Sequence, residues 1–507
     1  MTAPIPLLIV SLPARSVAEA REEIRLARQG GADAAEIRFD RWPGDERANV
    51  AQLFPAELPL VATLRSRAEG GDGPDDVNER QREFATYAQH PFAFIDRELA
   101  RDSLELPPFR GSSPQAATPT MIVSQHMRAP PAPHELRELL RRPPASGQIL
   151  KIVLPASLDL FFRQIVPELL PSGELAYLVH TTGGSGPLLR AWARRFGFPI
   201  VFAALPDSKG ASPSPAPVEA AQIPVDRLRR YLVAPDSSPL FAVVGHPIDH
   251  SSSPVIHSRW MRESGHAGLY VALDISSEEE FVAVLPSLAE AGVAGLNVTH
   301  PFKPVTLKVA DHIGRSAESA GCANVLTLRR GEVEAENTDV AAVVRRLEEL
   351  KSAGQWDGKE LTILGAGGAA RATLVAAQSL GAFARLTSRN ARSAASLAQE
   401  FGVSVSDTPT GSGPGLVVNA TPIGRRGEGP LDKRWENFLV RGGYVLDFVY
   451  SADEPYLAEA ARRVGAEYED GWRLLVYQAA ASYALWWPDG PPEESVAALA
   501  EEGPCTA

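Results

Sequence analysis

Eight short apolar runs, each followed by an amphipathic stretch or a loop, fill the first part of this chain. They are Ile5–Val10, Ala34–Phe39, Leu58–Leu64, Phe92–Asp96, Thr120–Ser124, Gln148–Leu154, Ala176–His180 and Pro199–Ala203. Helical patterns such as Val17–Gln29 and Val77–Ala88 lie between them. Eight βα repeats within ~230 residues predict a closed (β/α)8 (TIM) barrel. At 507 residues the chain is too long for one core, so further domains follow.

Two Pro- and Ser-rich stretches punctuate it. Val233–Leu240 separates regions of different periodicity and is read as the main boundary. Ser208–Gln222 reads as a mobile loop within the first domain. The tail after Pro491 is small and acidic and reads as frayed or a short helix. The expected organisation is a barrel over 1–234, a smaller α/β domain over 239–338, a nucleotide domain over 339–470 and a returning helix over 471–490. A net charge of −12 argues against nucleic acid as a partner. Cys322 and Cys505, the two cysteines, build neither a disulfide framework nor a zinc site, and they suit a reducing, cytoplasmic compartment. No segment approaches the ~18 consecutive apolar residues of a membrane span.

Barrel chemistry gathers at the C-terminal strand ends. Glu36 and Arg38 share a face of the second strand. Arg65 and Glu69 follow the third, Asp96 and Glu98 end the fourth, and His126 follows the fifth. Lys151 lies inside the sixth, among Ile149, Leu150, Ile152 and Val153, and Arg190 follows the seventh. Burial and nearby arginines favour a neutral lysine amine, which attacks ketones to form imines. The histidine moves protons, and the arginines suit a carboxylate. Taken singly these residues are more often surface or structural. Their coincidence at one barrel end points to imine chemistry on an anionic keto acid.

Over roughly residues 5–232 this pattern resembles type I 3-dehydroquinate dehydratase. The resemblance implies Lys151 as the Schiff-base lysine, His126 as general acid/base and Glu69 as the acid assisting it. It implies Glu36, Arg38, Arg65, Arg190 and Gln222 as substrate-holding residues, Gln222 from a covering loop. Six positions depart from the family pattern. The loop reads EAAQ where APGQ is usual, Val218 and Leu189 replace serines, and Arg97 replaces an apolar residue.

The second region repeats strand and helix. Ser251 and Ser253 in GHPIDHSSSP lie near a helix start, where hydroxyls and free N–H groups bind a carboxylate or simply cap the helix. LTILGAGGAARA places a Gly-rich turn between strand and helix, suited to a pyrophosphate. The next strand ends Ser388-Arg389-Asn390 without an acid, which favours the 2′-phosphate of NADP over NAD. With NVTHPFK, GCAN, ENTD, NATPIG, DFVY and GWRLLVYQA in order, residues 240–490 resemble shikimate dehydrogenase. The resemblance implies Lys303 and Asp339 as the catalytic pair. Ser251, Ser253, Thr299, Asn324, Tyr450 and Gln478 would contact substrate. Gly365, Ala366, Gly367, Gly368, Ala369, Arg371, Ser388, Arg389, Asn419 and Thr421 would line NADP. Departures here are Val340 for glycine, Ser258 for an amide and Arg425 for methionine.

Together the two resemblances imply consecutive steps, from 3-dehydroquinate through 3-dehydroshikimate to shikimate. The expected partners are these small molecules, without nucleic acid, membrane or metal, and with the oligomeric state open. Two other readings stay open: a quinate/shikimate dehydrogenase with an impaired dehydratase domain, and an inactive metabolite sensor.

Overall fold

The computed structural model describes residues 4–102, 118–141, 145, 147–169, 176–207, 218–219, 221–248, 251–329, 331–406, 415–423, 436–450 and 456–503. Most of the Ser208–Gln222 stretch, Gly424, Arg425 and Cys505 lie outside these residues. The chain divides into two compact units. One is Met1–Pro239 with Pro247–Asp249 and Ala267–Ser287; the other is Leu240–His246, His250–His266 and Leu288–Ala507.

In the first unit eight strands build the sheet that carries its core: β1 (Leu7–Leu12), β2 (Ala34–Arg38), β3 (Leu60–Thr63), β4 (Phe94–Glu98), β5 (Thr120–His126), β6 (Gln148–Pro155), β7 (Tyr177–Thr182) and β8 (Ile200–Ala203). They form one parallel sheet in the order β7-β6-β5-β4-β3-β2-β1-β8, a near-closed α/β barrel. The strands sit where the apolar runs predict. However, β1, β4, β5 and β7 each run two residues further toward the C-terminal end, onto Leu12, Glu98, His126 and Thr182. Apolarity marks the packed part of a strand, whereas backbone pairing continues into its polar end. Six consecutive residues of β6, Ile149–Leu154, are buried, as in a strand covered on both faces. Arg97, between Asp96 and Glu98 on β4, is buried with its guanidinium over the Phe84 ring, 4.4 Å from the centroid.

The second unit contains a mixed sheet and a parallel one. In the first, Leu240–Gly245 pairs in parallel with Val293–Val298, which pairs antiparallel with Val325–Arg329; Glu332–Glu336 and His312–Ile313 continue it. In the second, six strands follow one another: Glu360–Leu364, Phe383–Thr387, Ser404–Val405, Leu416–Asn419, Tyr444–Asp447 and Glu467–Glu469. They lie side by side in the order third, second, first, fourth, fifth, sixth. That is the doubly wound Rossmann order, whose ligands bind beside the first strand's C-terminal end. The helix Trp472–Trp486 follows, and the acidic tail forms the helix Glu493–Glu502. Trp472 Nε1 donates to the Leu499 carbonyl at 2.7 Å, which ties that last helix down.

Gly365 ends the first Rossmann strand with φ +116°, and a Cβ there would lie 2.8 Å from the Ala420 oxygen. Gly365→Ala is therefore expected to destabilise the chain by about 1–3 kcal/mol, read as a lowered denaturant midpoint.

Candidate functional site

The barrel carries a cavity of about 220 Å³ at its C-terminal end, lined by Glu36, Arg38, Arg65, Glu69, His126, Lys151, Arg190's neighbour Glu219, and Gln222 among others. Lys151 reaches it from β6 and is 5% exposed. Its Nζ donates to Asp96 Oδ2 at 3.1 Å, stands 4.0 Å from Glu36 Oε1, and lies over the Phe202 ring at 3.9 Å. The sequence predicts apolar neighbours and arginines around this amine; the structure adds two carboxylates. Glu36 in turn accepts from Ser11 Oγ at 2.6 Å and Thr63 Oγ1 at 2.8 Å.

Arg65 is the hub. It donates to Asp96 at 2.9 Å, Ser124 at 2.9 Å, Glu69 at 3.1 Å and Glu98 at 3.2 Å. Burial alone would strip its charge, but the surrounding carboxylates outweigh that and hold it protonated. Burial likewise pushes the Asp96 carboxyl up, and Arg65 and Lys151 overcome it, holding the group well below the usual carboxylate range. His126 meets Glu69 twice: the ring Nδ1 lies 3.1 Å from Oε2, and the backbone N–H donates to the same oxygen at 3.0 Å. Burial, then Arg65 and Lys151, depress the imidazole well below its ordinary value, so it is neutral near pH 7. Burial raises Glu69 to about 7 despite Arg65.

The three arginines expected to hold a carboxylate already have partners within the chain. Arg38 makes two 2.8 Å bonds to Asp40, Arg65 serves the hub, and Arg190 donates to Glu219 at 3.0 Å. Gln222 Nε2 donates to Ser11 Oγ at 3.0 Å. Of the departures from the family pattern, Leu189 is fully buried, and the Val218 carbonyl accepts from Arg41 at 3.4 Å. Nothing in the sequence reading assigns roles to Ser11, Thr63, Ser124, His180 or Glu219. A signal existed for the first four, each a polar residue inside an apolar strand. For Glu219 the signal was the glutamate that heads EAAQ, where the family pattern has alanine.

In the second unit Lys303 opens a 3-10 helix, and Asp339 lies in the first turn of the helix Thr338–Ser352. Their side chains meet at 2.5 Å. Asn324 braces the pair: its Nδ2 donates to Asp339 Oδ1 at 2.9 Å, Thr338 Oγ1 at 3.0 Å and Gln478 Oε1 at 3.3 Å. Ser251 and Ser253 stand at a helix start, with Ser253 N–H donating to Ser251 Oγ at 3.4 Å. Thr299 follows the strand Val293–Val298, its N–H on the Val244 carbonyl. The Tyr450 ring packs edge-on to Trp472, 6.0 Å between centroids. Val340 packs with Ala320, Cys322 and Ala372, so a larger residue than glycine is accommodated there.

The Gly-rich turn comes directly to the lysine. A Cβ on Gly368 would lie 3.2 Å from Lys303 Cδ, whereas one on Gly367 would meet nothing within 4 Å. At Gly367, the N-cap of the helix Gly368–Ser379, the backbone is thus open to approach. Ser388 Oγ accepts from the Asn390 N–H at 3.3 Å, and Arg389 is exposed beside it. Two expected cofactor residues are engaged elsewhere. Arg371 binds both oxygens of Glu400 and the Ala320 carbonyl, bracing two segments. Asn419 is fully buried, donates to Asp447 at 2.7 Å and accepts from Thr421 Oγ1 at 2.6 Å, so it shapes the turn that presents Thr421. Among the described residues no helix is long and apolar enough to cross a membrane, and no group of three or more His, Cys, Asp or Glu is placed to hold a metal.

The comparisons fall on the same two regions. The type I 3-dehydroquinase family matches residues 8–234, and the shikimate dehydrogenase substrate binding domain matches residues 243–326. The shikimate dehydrogenase (NADP(+)) of Acidiphilium cryptum (strain JF-5) is 35% identical over 252 residues, 49% of this chain and 90% of that protein. That of Dinoroseobacter shibae (strain DSM 16493 / NCIMB 14021 / DFL 12) is 35% identical over 276 residues, 52% of this chain and 98% of that protein. A solved shikimate dehydrogenase from Aquifex aeolicus is 28% identical and covers 53% of this chain and 100% of its own, with a TM-score of 0.48.

Asp96 neutralises both Arg65 and Lys151 inside the barrel. Asp96→Ala is expected to cost about 3–5 kcal/mol of stability, because it takes from buried Lys151 its hydrogen-bonded carboxylate and from Arg65 one of three, and urea unfolding checks it.

Proposed function

The chain belongs to the shikimate dehydrogenase family and carries a type I 3-dehydroquinase domain ahead of that part, which makes it a bifunctional shikimate-pathway enzyme, and from that premise we propose how its own residues do the work. Residues 1–234 dehydrate 3-dehydroquinate to 3-dehydroshikimate, and residues 239–490 reduce that product to shikimate. The observation that carries the reading is Lys151, His126 and Glu69 around one cavity, the lysine buried against a carboxylate.

In the first step the Lys151 amine attacks the ketone, and loss of water gives an iminium. Asp96, ionised and 3.1 Å from Nζ, becomes the counter-ion of that positive charge. His126 removes a proton from the carbon next to the iminium and returns it to the departing hydroxyl. Glu69, when ionised, accepts from Nδ1–H and so leaves Nε2 free to act as base. Water then releases the product from the lysine.

In the second step Lys303 gives a proton to the ketone oxygen and stabilises its developing charge, while Asp339 keeps the ammonium oriented. Ser251, Ser253, Thr299, Asn324, Tyr450 and Gln478 hold the substrate. Gly365, Ala366, Gly367, Gly368 and Ala369 would hold NADPH at the helix start, Ser388 and Arg389 would take its 2′-phosphate, and Thr421 would stand by the nicotinamide. When bound, it supplies the hydride. The chain acts on small molecules in the cytoplasm.

Adding 3-dehydroquinate to the purified chain should consume NADPH. Lys151→Ala should abolish that consumption while sparing the reaction with 3-dehydroshikimate, and Lys303→Ala should abolish both NADPH readouts while sparing dehydration. A folded Lys151→Ala chain that has also lost reduction would contradict two independent sites. Dehydratase kcat/KM should rise with pH through about 7, where Glu69 loses its proton and becomes an acceptor for His126. Glu69→Gln should remove that limb and lower the plateau about 10²–10⁴-fold, as a pH–rate profile will test.

A further inference from the structure

Four polar side-chain atoms about the barrel cavity are buried without a hydrogen-bond partner among the described residues: Arg190 Nε, Glu219 Oε1, Gln222 Oε1 and His180 Nε2. His180, Glu219 and Gln222 line the cavity itself. Buried polar atoms are rarely left unpaired, and a cluster of them marks a place completed by a ligand. Arg190 is the cation of this group and is fully buried. Its Nη1 donates to the Gly186 and Thr181 carbonyls at 3.0 and 3.3 Å, which fixes the guanidinium. Its Nη2 donates to Glu219 Oε2 at 3.0 Å. A guanidinium edge offers two parallel N–H groups to a carboxylate. Here one of them is used and Nε is not, and one glutamate oxygen is used and the other is not. The contact is a half-made version of the bidentate pair that a carboxylic acid ligand would form.

We propose that Glu219 is an internal occupant of the anion seat at Arg190, a carboxylate that the carboxylate of an incoming cyclic keto acid must displace. The inference rests on the reading of Arg190 as the substrate-carboxylate holder. Glu219 then sets the affinity and the charge selectivity of the first site. With the glutamate on the guanidinium, an anion meets a neutralised seat and a like charge, whereas an uncharged molecule loses nothing. The side chain is 28% exposed, so it can leave the arginine by rotating toward solvent.

The test compares the full chain with Glu219→Gln, which keeps the shape and removes the charge, and with Glu219→Ala, which also removes the hydrogen bond. KM for 3-dehydroquinate should fall roughly tenfold or more in both variants, with kcat changing by less than KM. The second readout is competitive inhibition by a non-reacting substrate analogue and by its carboxamide. The variants should bind the carboxylate analogue more tightly and the carboxamide no better. An unchanged or raised KM, or an equal gain for both analogues, overturns the proposal. If neither the parent chain nor the variants turn over 3-dehydroquinate or form a borohydride-trapped adduct at Lys151, the dehydratase reading fails and takes this inference with it. A parent chain that turns over with KM insensitive to Glu219 fails the inference alone.

Discussion

The charge balance inside the barrel is the constraint on which the first unit depends. A barrel interior is ordinarily filled by branched apolar side chains. Here its C-terminal layer holds Lys151 and Arg65 beside Glu36, Asp96 and Glu98, all at most 5% exposed. Isolated, each would cost several kcal/mol to bury. They are tolerated because Asp96 and Glu98 meet cations at hydrogen-bond distance, because Glu36 stands 4.0 Å from Lys151, and because Ser11, Thr63 and Ser124 fill remaining lone pairs. The same arrangement holds Lys151 and His126 in fixed directions before any substrate arrives, which is the pre-organisation that catalysis requires.

The second unit solves a related problem by a different route. Lys303 and Asp339 come from separate segments and are joined by one ion pair, which Asn324 cross-links to Thr338 and to Gln478 on the helix Trp472–Trp486. The Gly-rich turn comes close to this pair, and a Cβ on Gly368 would crowd the Lys303 side chain at 3.2 Å. A missing Cβ therefore helps bring a helix N-terminus and an ion pair to the same place.

Residues at a site divide between those that touch ligand and those that hold the others still. Arg371 in GAGGAARA and Asn419 in NATPIG are expected by resemblance at the cofactor, yet their side chains are spent on Glu400 and Asp447. Arg38 and Arg65 lie among strand-end arginines that read as carboxylate holders, yet Asp40 and the Asp96–Glu98 cluster occupy their donors. A motif records that a residue is needed near a site. It does not say whether the need is for contact or for support.

Period and punctuation determined the fold by themselves: eight apolar runs at βα spacing can close a parallel barrel, and a Gly-rich turn between strand and helix leads a doubly wound sheet. The candidate residues were legible too, since Lys151 inside an apolar strand and the ordered motifs around Lys303 and Asp339 are local features. Other pairings were decided only by tertiary structure. Asp96 meets Lys151 across 55 positions and Glu219 meets Arg190 across 29. Such partners are chosen by strand register and by the desolvation of charges that must find a mate, and neither is written in the local order of residues.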